Sequence, residues 1–163
     1  MSNRPVAEKE YAAFYADYVG RVPEEDIVAA LEASTKYTLE VLRAFDEDQA
    51  IKFHGTTKWT LKETLGHLCD GERVFSYRAM RIARGDKTPL PGFEQDDFVA
   101  TANSNARLWT DLIDEYSSLR RATIALAKSL TPEAMQRIGT ASNKPVSARA
   151  LFYITVGHER RHV

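Results

Sequence analysis

Four long stretches of this chain repeat apolar residues every three or four positions, and this spacing constrains the fold more than any other feature. The stretches run from about Pro23 to Phe45, from Leu61 to Arg84, from about Ser104 to Leu130 and from Ser147 to the last residue. Such a repeat places an apolar stripe along one face of a helix. No strong alternating strand pattern competes with it, so the sequence predicts an all-α fold, a four-helix bundle.

Shorter elements are expected around these helices. Glu8 to Val19 is typical of a short helix, Thr131 to Glu133 starts another, and the polar residues 139–146 favour a small hairpin. Thr60 to Glu63 is typical of a capping box at the start of the second long helix. No internal repeat or linker divides the chain, so residues 1–163 are expected to form a single domain.

Composition excludes several classes of protein. The formal net charge is −1 and no basic tail is present, so neither nucleic acid nor an anionic membrane surface is an expected partner. No apolar run approaches the ~20 residues that cross a bilayer. Cys69 is the single cysteine and the first residues do not resemble a secretory signal, so we expect a cytoplasmic protein without an internal disulfide.

The last helix ends in two histidines four positions apart, His158 and His162. This spacing puts both imidazoles on one helix face, and that face continues the apolar stripe of Leu151, Ile154 and Thr155. Two imidazoles in a core are costly unless something binds them, and a metal ion does so. We therefore interpret the pair as metal ligands, although two cations at a helix C-terminus would also suit the helix dipole.

The pair also spells H-E-x-x-H, the signature of zinc proteases. Those enzymes take a third ligand from downstream, whereas here one residue follows His162, so a zinc peptidase is disfavoured. An upstream ligand could be His67, His54, Glu72 or Asp70. His67 is favoured, because it lies about two turns into the second helix at the edge of its apolar arc.

These ligands also predict the helix order. His67 is near the start of the second helix and His158 near the end of the fourth, so they meet only if the two helices are antiparallel. The connection from Gly85 to Asn103 is long enough to cross the bundle. We predict an up-down-down-up bundle with this long crossover between helices two and three.

Other charged residues near the histidines are candidates for supporting roles. Glu159 could act as a catalytic base by analogy with H-E-x-x-H, although it points about 100° from His158 on an ideal helix and could instead form a salt bridge. Asp70 and Glu72 could orient a histidine, or pair with a nearby arginine. Arg78 could steer an anionic substrate, and the crossover could wall the pocket.

Several motifs together resemble the DinB/YfiT-like superfamily of metalloenzymes. They are Lys58-Trp59-Thr60-Leu61-Lys62-Glu63, Leu65-Gly66-His67-Leu68, Arg84-Gly85-Asp86 and Gly157-His158-Glu159 with His162, and the similarity covers almost the whole chain. The resemblance implies a four-helix bundle with a divalent metal held by His67, His158 and His162. It also implies a frequent homodimer, and a hydrolase or an S-transferase that uses a low-molecular-weight thiol as co-substrate.

The chemistry of the predicted site leaves its function open. Three neutral imidazoles suit Zn, Ni, Fe or Mn and leave a coordination position open, which is typical of catalytic sites. A metal-dependent hydrolase or thiol S-transferase acting on a small molecule is the leading hypothesis. The alternative is a non-catalytic, metal-stabilised dimeric bundle that works as a binding module, suggested by the apolar back of the fourth helix.

Overall fold

All four predicted helices are present, and smaller elements connect them. The computed structural model describes residues 6–52 and 58–163. The α-helices in chain order are α1 (Ala16–Gly20), α2 (Ile27–Arg43), α3 (Glu47–Lys52), α4 (Leu61–Ala83), α5 (Gln95–Thr101), α6 (Trp109–Lys128), α7 (Pro132–Gln136) and α8 (Ala148–His162). Short 3-10 turns span Glu8–Glu10, Ala13–Tyr15 and Ser104–Ala106. The helical bundle fold is therefore confirmed.

The expected hairpin is also present. Strands β1 (Ile138–Ala141) and β2 (Lys144–Ser147) pair in antiparallel fashion, between α7 and α8. The turn residues Ser142 and Asn143 both have positive φ, which tight hairpin turns require. An isolated bridge between Leu90 and Ala141 helps to tie the hairpin to the crossover.

Capping side chains determine where the long helices begin. The carboxylate of Asp26 accepts from the N–H groups of Val28 and Ala29, so α2 starts at Ile27 rather than at Pro23. The capping box is confirmed, with Thr60 Oγ1 accepting from Glu63 N at 3.1 Å and Glu63 Oε2 from Thr60 N at 2.9 Å.

The third helix starts later than predicted. Glu47 Oε2 accepts the Trp109 N–H at 2.7 Å, so α6 begins at Trp109 rather than near Ser104. The residues before it form a 3-10 turn, Ser104–Ala106, and an extended residue, Leu108.

Side-chain contacts give the relative directions of the long helices. Glu72 binds Arg120 and Arg73 binds Glu115, which places the middles of α4 and α6 side by side, and Lys62 near the start of α4 binds the carbonyl of Arg107 just before α6. Residues near the start of α4 contact the start of α6, and residues in the middle of α4 contact the middle of α6, so the two helices run parallel. His67 near the start of α4 instead meets His158 near the end of α8, so those helices run antiparallel. Both directions are consistent with the predicted helix order.

The N-terminal segment covers α8. α8 is buried from Ala150 to Glu159, as expected from a helix that is apolar nearly all round. A Cβ at Gly157 would lie 1.9 Å from the carbonyl oxygen of Tyr18, so the glycine allows α1 to pack backbone against backbone on α8. The apolar back of α8 thus needs no second subunit to be buried. Among the described residues, no helix is long and apolar enough to span a membrane.

Candidate metal centre

Three histidines converge at one end of the bundle. His67 is presented by α4, and His158 and His162 are presented by the last turns of α8. The Nε2 atoms of His67 and His158 lie 2.8 Å apart, and one nitrogen of each of the three rings lies within 4.8 Å of the others. His67 and His158 are buried, whereas His162 is half-buried. The structure therefore brings together the three histidines that the sequence singled out.

The three imidazoles are neutral at physiological pH. Burial lowers the pKa of His67 to about 4, and His162 contributes to the same effect. Burial also lowers the pKa of His158 far below its usual range and lowers that of His162. Neutral rings offer lone pairs to a cation, and nitrogens that share one zinc ion at about 2.0–2.1 Å lie roughly 3 Å apart. The donor set thus fits a divalent metal ion.

Neighbouring aromatic rings fix the orientation of the histidines. The ring centroids of Trp59 and His67 lie 4.9 Å apart. Tyr18 and Phe75 pack edge-to-face on His158, with centroid distances of 5.4 and 5.9 Å. Gly71 on α4 leaves the space that His158 fills, since a Cβ there would lie 3.1 Å from Cε1 of His158. This close approach explains a glycine in the middle of a helix, where it costs about 1 kcal/mol relative to alanine.

Glu159 points away from the histidines, into the centre of the bundle. Its carboxylate is 2% exposed and accepts from the hydroxyls of Ser34, Thr38 and Tyr116 and from the guanidinium of Arg120. A carboxylate held in this way lies away from the cleft beside the histidines, which Glu159 does not line. The placement argues against the catalytic base expected from H-E-x-x-H and favours the salt-bridge alternative.

Glu72 and Asp70 also have partners other than the histidines. Arg120 donates to both oxygens of Glu72 at 2.9–3.2 Å, so one guanidinium joins Glu72 and Glu159 across the core. Asp70 pairs with Arg73 at 3.4 Å and borders a separate cleft lined by Arg107 and Glu115. In the part of the chain that the structure describes, neither carboxylate bonds to a histidine, contrary to the orienting role considered from the sequence.

Arg78 supports the wall of the site rather than facing into it. Its side chain is 2% exposed and donates to the carbonyl of Pro91 in the crossover and to the hydroxyl of Ser142 in the hairpin turn, the latter at 3.1 Å. Its position gives no support to the suggestion that Arg78 steers an anionic substrate, because the guanidinium is used to tie these two segments together. His54, a lesser candidate from the sequence, lies outside the described residues.

An open cleft of about 640 Å³ lies against His67 and His158. The crossover supplies one wall, as expected, through Gly92, Phe93, Glu94 and Gln95. The sequence did not single out Tyr15 and Tyr18 from the N-terminal segment, Lys144 from the hairpin, or Arg161 from α8 as lining residues. Only Arg161 carried a local signal, since it lies between the two histidines of α8 and next to His162.

The fold and the cluster define a helical bundle with a possible three-histidine metal site at one end. The family model of the DinB superfamily matches residues 30–163, so this chain belongs to the DinB superfamily. This confirms the family resemblance derived from the motifs.

One solved structure gives a close comparison of the fold. YfiT from Bacillus subtilis, described as a probable metal-dependent hydrolase with an unusual four-helix bundle topology, superposes with a TM-score of 0.71. The two proteins are 14% identical, and the match covers 83% of this chain and 79% of YfiT. At this identity the similarity is one of fold. No curated protein matches the chain.

Proposed function

We propose that this protein is a metal-dependent enzyme that acts on a small molecule, with His67, His158 and His162 holding one divalent cation. The observation that carries the proposal is the convergence of three neutral imidazole nitrogens within 4.8 Å of one another. Buried, uncharged histidines are costly to bring together, and binding a cation offsets that cost. Zn, Ni, Fe and Mn all suit three imidazoles.

The open cleft favours catalysis over a purely structural ion. Structural zinc sites are usually closed by four protein ligands, whereas the residues that the structure describes offer three nitrogens beside a cleft. Bound there, a divalent ion would lower the pKa of a water or thiol at its open position. The non-catalytic binding module is therefore the weaker hypothesis. A zinc peptidase remains disfavoured, because the third nitrogen comes from upstream and Glu159 is engaged in the core.

The residues of the chain would prepare this site in three ways. Trp59, Phe75 and Tyr18 pack against the histidine rings and limit their rotation. Burial keeps the rings of His67 and His158 unprotonated, so no proton must leave before a cation binds. Arg78 holds the crossover and the hairpin turn in place along the cleft.

Hydrolysis is the reaction class that we propose first. The description of YfiT as a probable metal-dependent hydrolase with the same kind of fold supports it. Transfer of a low-molecular-weight thiol is the second candidate, because the open position that suits water also suits a thiol sulfur.

An activity assay on the metal-loaded protein tests the proposal. Protein loaded separately with Zn²⁺, Ni²⁺, Fe²⁺ or Mn²⁺ is assayed with a panel of esters and amides, and with electrophiles in the presence of cysteine or glutathione. We expect turnover in at least one panel, which is lost in H67A and H158A. Urea unfolding of each variant, compared with the surface variant Tyr37→Ala, shows whether the loss follows from unfolding. Turnover that persists in folded H67A would contradict the proposal.

A further inference from the structure

We propose that the cleft beside the histidines selects small organic anions with a planar apolar body, such as aromatic sulfonates or carboxylates. The inference rests on the proposed function in that the cleft is taken to be its substrate site. It follows from two features of the walls: a continuous row of aromatic rings and an excess of positive charge at the rim.

The aromatic row runs from the mouth of the cleft to the metal centre. Phe14 packs edge-to-face on Tyr15, with the ring centroids 5.2 Å apart. The ring centroids of Tyr15 and Phe75 lie 6.4 Å apart, and those of Phe75 and His158 lie 5.9 Å apart. Tyr18 connects Phe14 to His158 by a second route, at 6.5 and 5.4 Å. A flat apolar ligand could therefore contact ring faces and edges along its whole length while one end reaches the histidines.

Phe14 is the aromatic residue whose exposure most favours such a ligand. Its side chain is 79% exposed, more than that of any other large apolar residue described as exposed, and it lies on the rim of the cleft beside the histidines. Covering this ring with a planar ligand would remove apolar surface from water, which is favourable. The position of Phe14 suits contact with a ligand rather than support of the core.

The charged residues of the cleft favour an anion. Lys144 and Arg161 are cationic and Glu94 is the one acidic residue among the described residues that line it. Arg161 already pairs with Asp17 at 3.4 Å, but both side chains are half exposed and such pairs are weak. Lys144 is exposed and makes no ion pair within residues 6–52 and 58–163. A divalent cation at the histidines would add further positive charge.

The segment that carries Lys144 is fixed rather than loose. Arg78 donates to Ser142 Oγ at 3.1 Å and to the Pro91 carbonyl, and Leu90 N donates to Thr140 O at 2.9 Å. The turn of the hairpin is thereby tied to the crossover two residues before Lys144. A turn whose backbone is held in place loses less entropy when a ligand binds beside it, which favours specific recognition over loose attraction.

Binding of three matched fluorescent probes tests this inference. Naphthalenesulfonate, naphthalenemethanol and naphthylmethylamine share one ring system and carry a negative, a neutral and a positive group. Titration of the full chain, both after chelator treatment and with Zn²⁺ added, should show the tightest binding for naphthalenesulfonate. A sulfonate coordinates metals weakly, so this preference should be present in the metal-free protein as well.

Two variants separate the charge from the aromatic surface. Lys144→Ala should lower the affinity for naphthalenesulfonate about fivefold, because one ion pair near the surface is worth about 1 kcal/mol. The affinity for naphthalenemethanol should not change. Phe14→Ala should weaken both probes. Lys36→Ala, which removes an exposed lysine on α2 outside the cleft, is the matched control and should change neither.

The outcomes distinguish this inference from the proposed function. Equal binding of the three probes by the wild-type protein, or unchanged naphthalenesulfonate binding in Lys144→Ala, would overturn it. Selective binding in the metal-free protein would support it even if the histidines held no metal, in which case the proposed function alone would fail.

Discussion

The Nε2 atoms of His67 and His158 lie 2.8 Å apart, although the residues are 91 positions apart in the sequence. This contact exists because α4 and α8 are antiparallel and because Gly71 leaves room for the His158 ring. The direction of these two helices thus determines which histidines meet. Variants near the contact should change metal affinity and protein stability by different amounts.

Gly71→Ala should weaken metal binding without destabilising the protein. The new Cβ would lie 3.1 Å from Cε1 and 3.3 Å from Nδ1 of His158, so the ring must shift by a few tenths of an ångström. Alanine in a helix is favoured over glycine by about 1 kcal/mol, which offsets the crowding. We expect about tenfold lower affinity for Zn²⁺, measured by competition with a chelator.

Gly20→Ala is the matched control, because nothing lies within 4 Å of the position its Cβ would take. Equal affinity of Gly71→Ala and the wild-type protein would show that the packing of Gly71 against His158 does not position the ligand.

Arg120→Met should destabilise the protein strongly. Arg120 is the described counter-charge that joins Glu72 and Glu159, and all three side chains are at most 3% exposed. Removing the guanidinium leaves two buried carboxylates without this positive charge between them. The change lowers the free energy of unfolding by about 3–5 kcal/mol. Urea unfolding measures the change.

Arg73→Met provides the comparison for Arg120→Met. Arg73 pairs with Glu115 at 2.6 Å, but its side chain is 47% exposed, so its loss should cost less than about 1 kcal/mol. Similar unfolding free energies for the two variants would contradict the structural role assigned to Arg120.

Glu159→Gln should lower stability but not abolish turnover. The carboxylate bonds to Ser34, Thr38, Tyr116 and Arg120, and none of these contacts faces the cleft beside the histidines. A general base contributes about 10²–10⁴ in rate, so a loss of that size in a folded, metal-loaded variant would restore the catalytic role expected from H-E-x-x-H. We expect the rate to stay within about tenfold of the wild-type rate.

Glu10→Gln should reduce stability in a pH-dependent way. Burial raises the pKa of Glu10, but hydrogen bonds from Arg149, Ser147 and the Ala7 N–H outweigh it, and the pKa ends below its usual value of 4.5. A carboxyl group whose pKa is lower in the folded protein stabilises the fold at pH values above its unfolded-state pKa. This stabilisation is lost as the pH falls through the folded-state pKa.

Unfolding of the wild type and Glu10→Gln should therefore differ by about 1.5–3 kcal/mol at pH 7. The difference should shrink below about pH 4.5 as the carboxylate protonates. A difference that grows on acidification would have the wrong sign for this interaction.

The sequence predicted the parts of the fold that depend on local patterns. Helical spacing and capping residues gave the four long helices, and the start of α4 at Leu61 followed from the capping box. The histidine cluster was predictable because the two ligands of α8 share one face and His67 lies on an apolar arc.

The parts that depend on distant contacts were not predictable in the same way. Glu72 was considered for pairing with a nearby arginine, but its partner Arg120 lies 48 positions away and no local spacing connects them. The packing of Tyr18 on Gly157 likewise depends on how the N-terminal segment folds back on α8. Helices α3 and α5 are short, with six and seven residues, and carry little periodic signal.

Other expectations stay predictions. These are a homodimer, a cytoplasmic location, a low-molecular-weight thiol as co-substrate, and the absence of nucleic-acid and membrane partners. The coverage of α8 by α1 removes one reason to expect a dimer, because the apolar back of α8 is already buried within the chain.

Metal content is the most direct measurement of the central claim. The protein is purified without a nickel column, reconstituted with Zn²⁺, freed of excess ion and measured by inductively coupled plasma mass spectrometry. We predict about one divalent ion per chain for the wild type, and a loss of most of it in folded H67A and H158A. A wild-type protein that retains no ion, or a folded H67A that retains a full equivalent, would contradict a metal centre built from His67, His158 and His162.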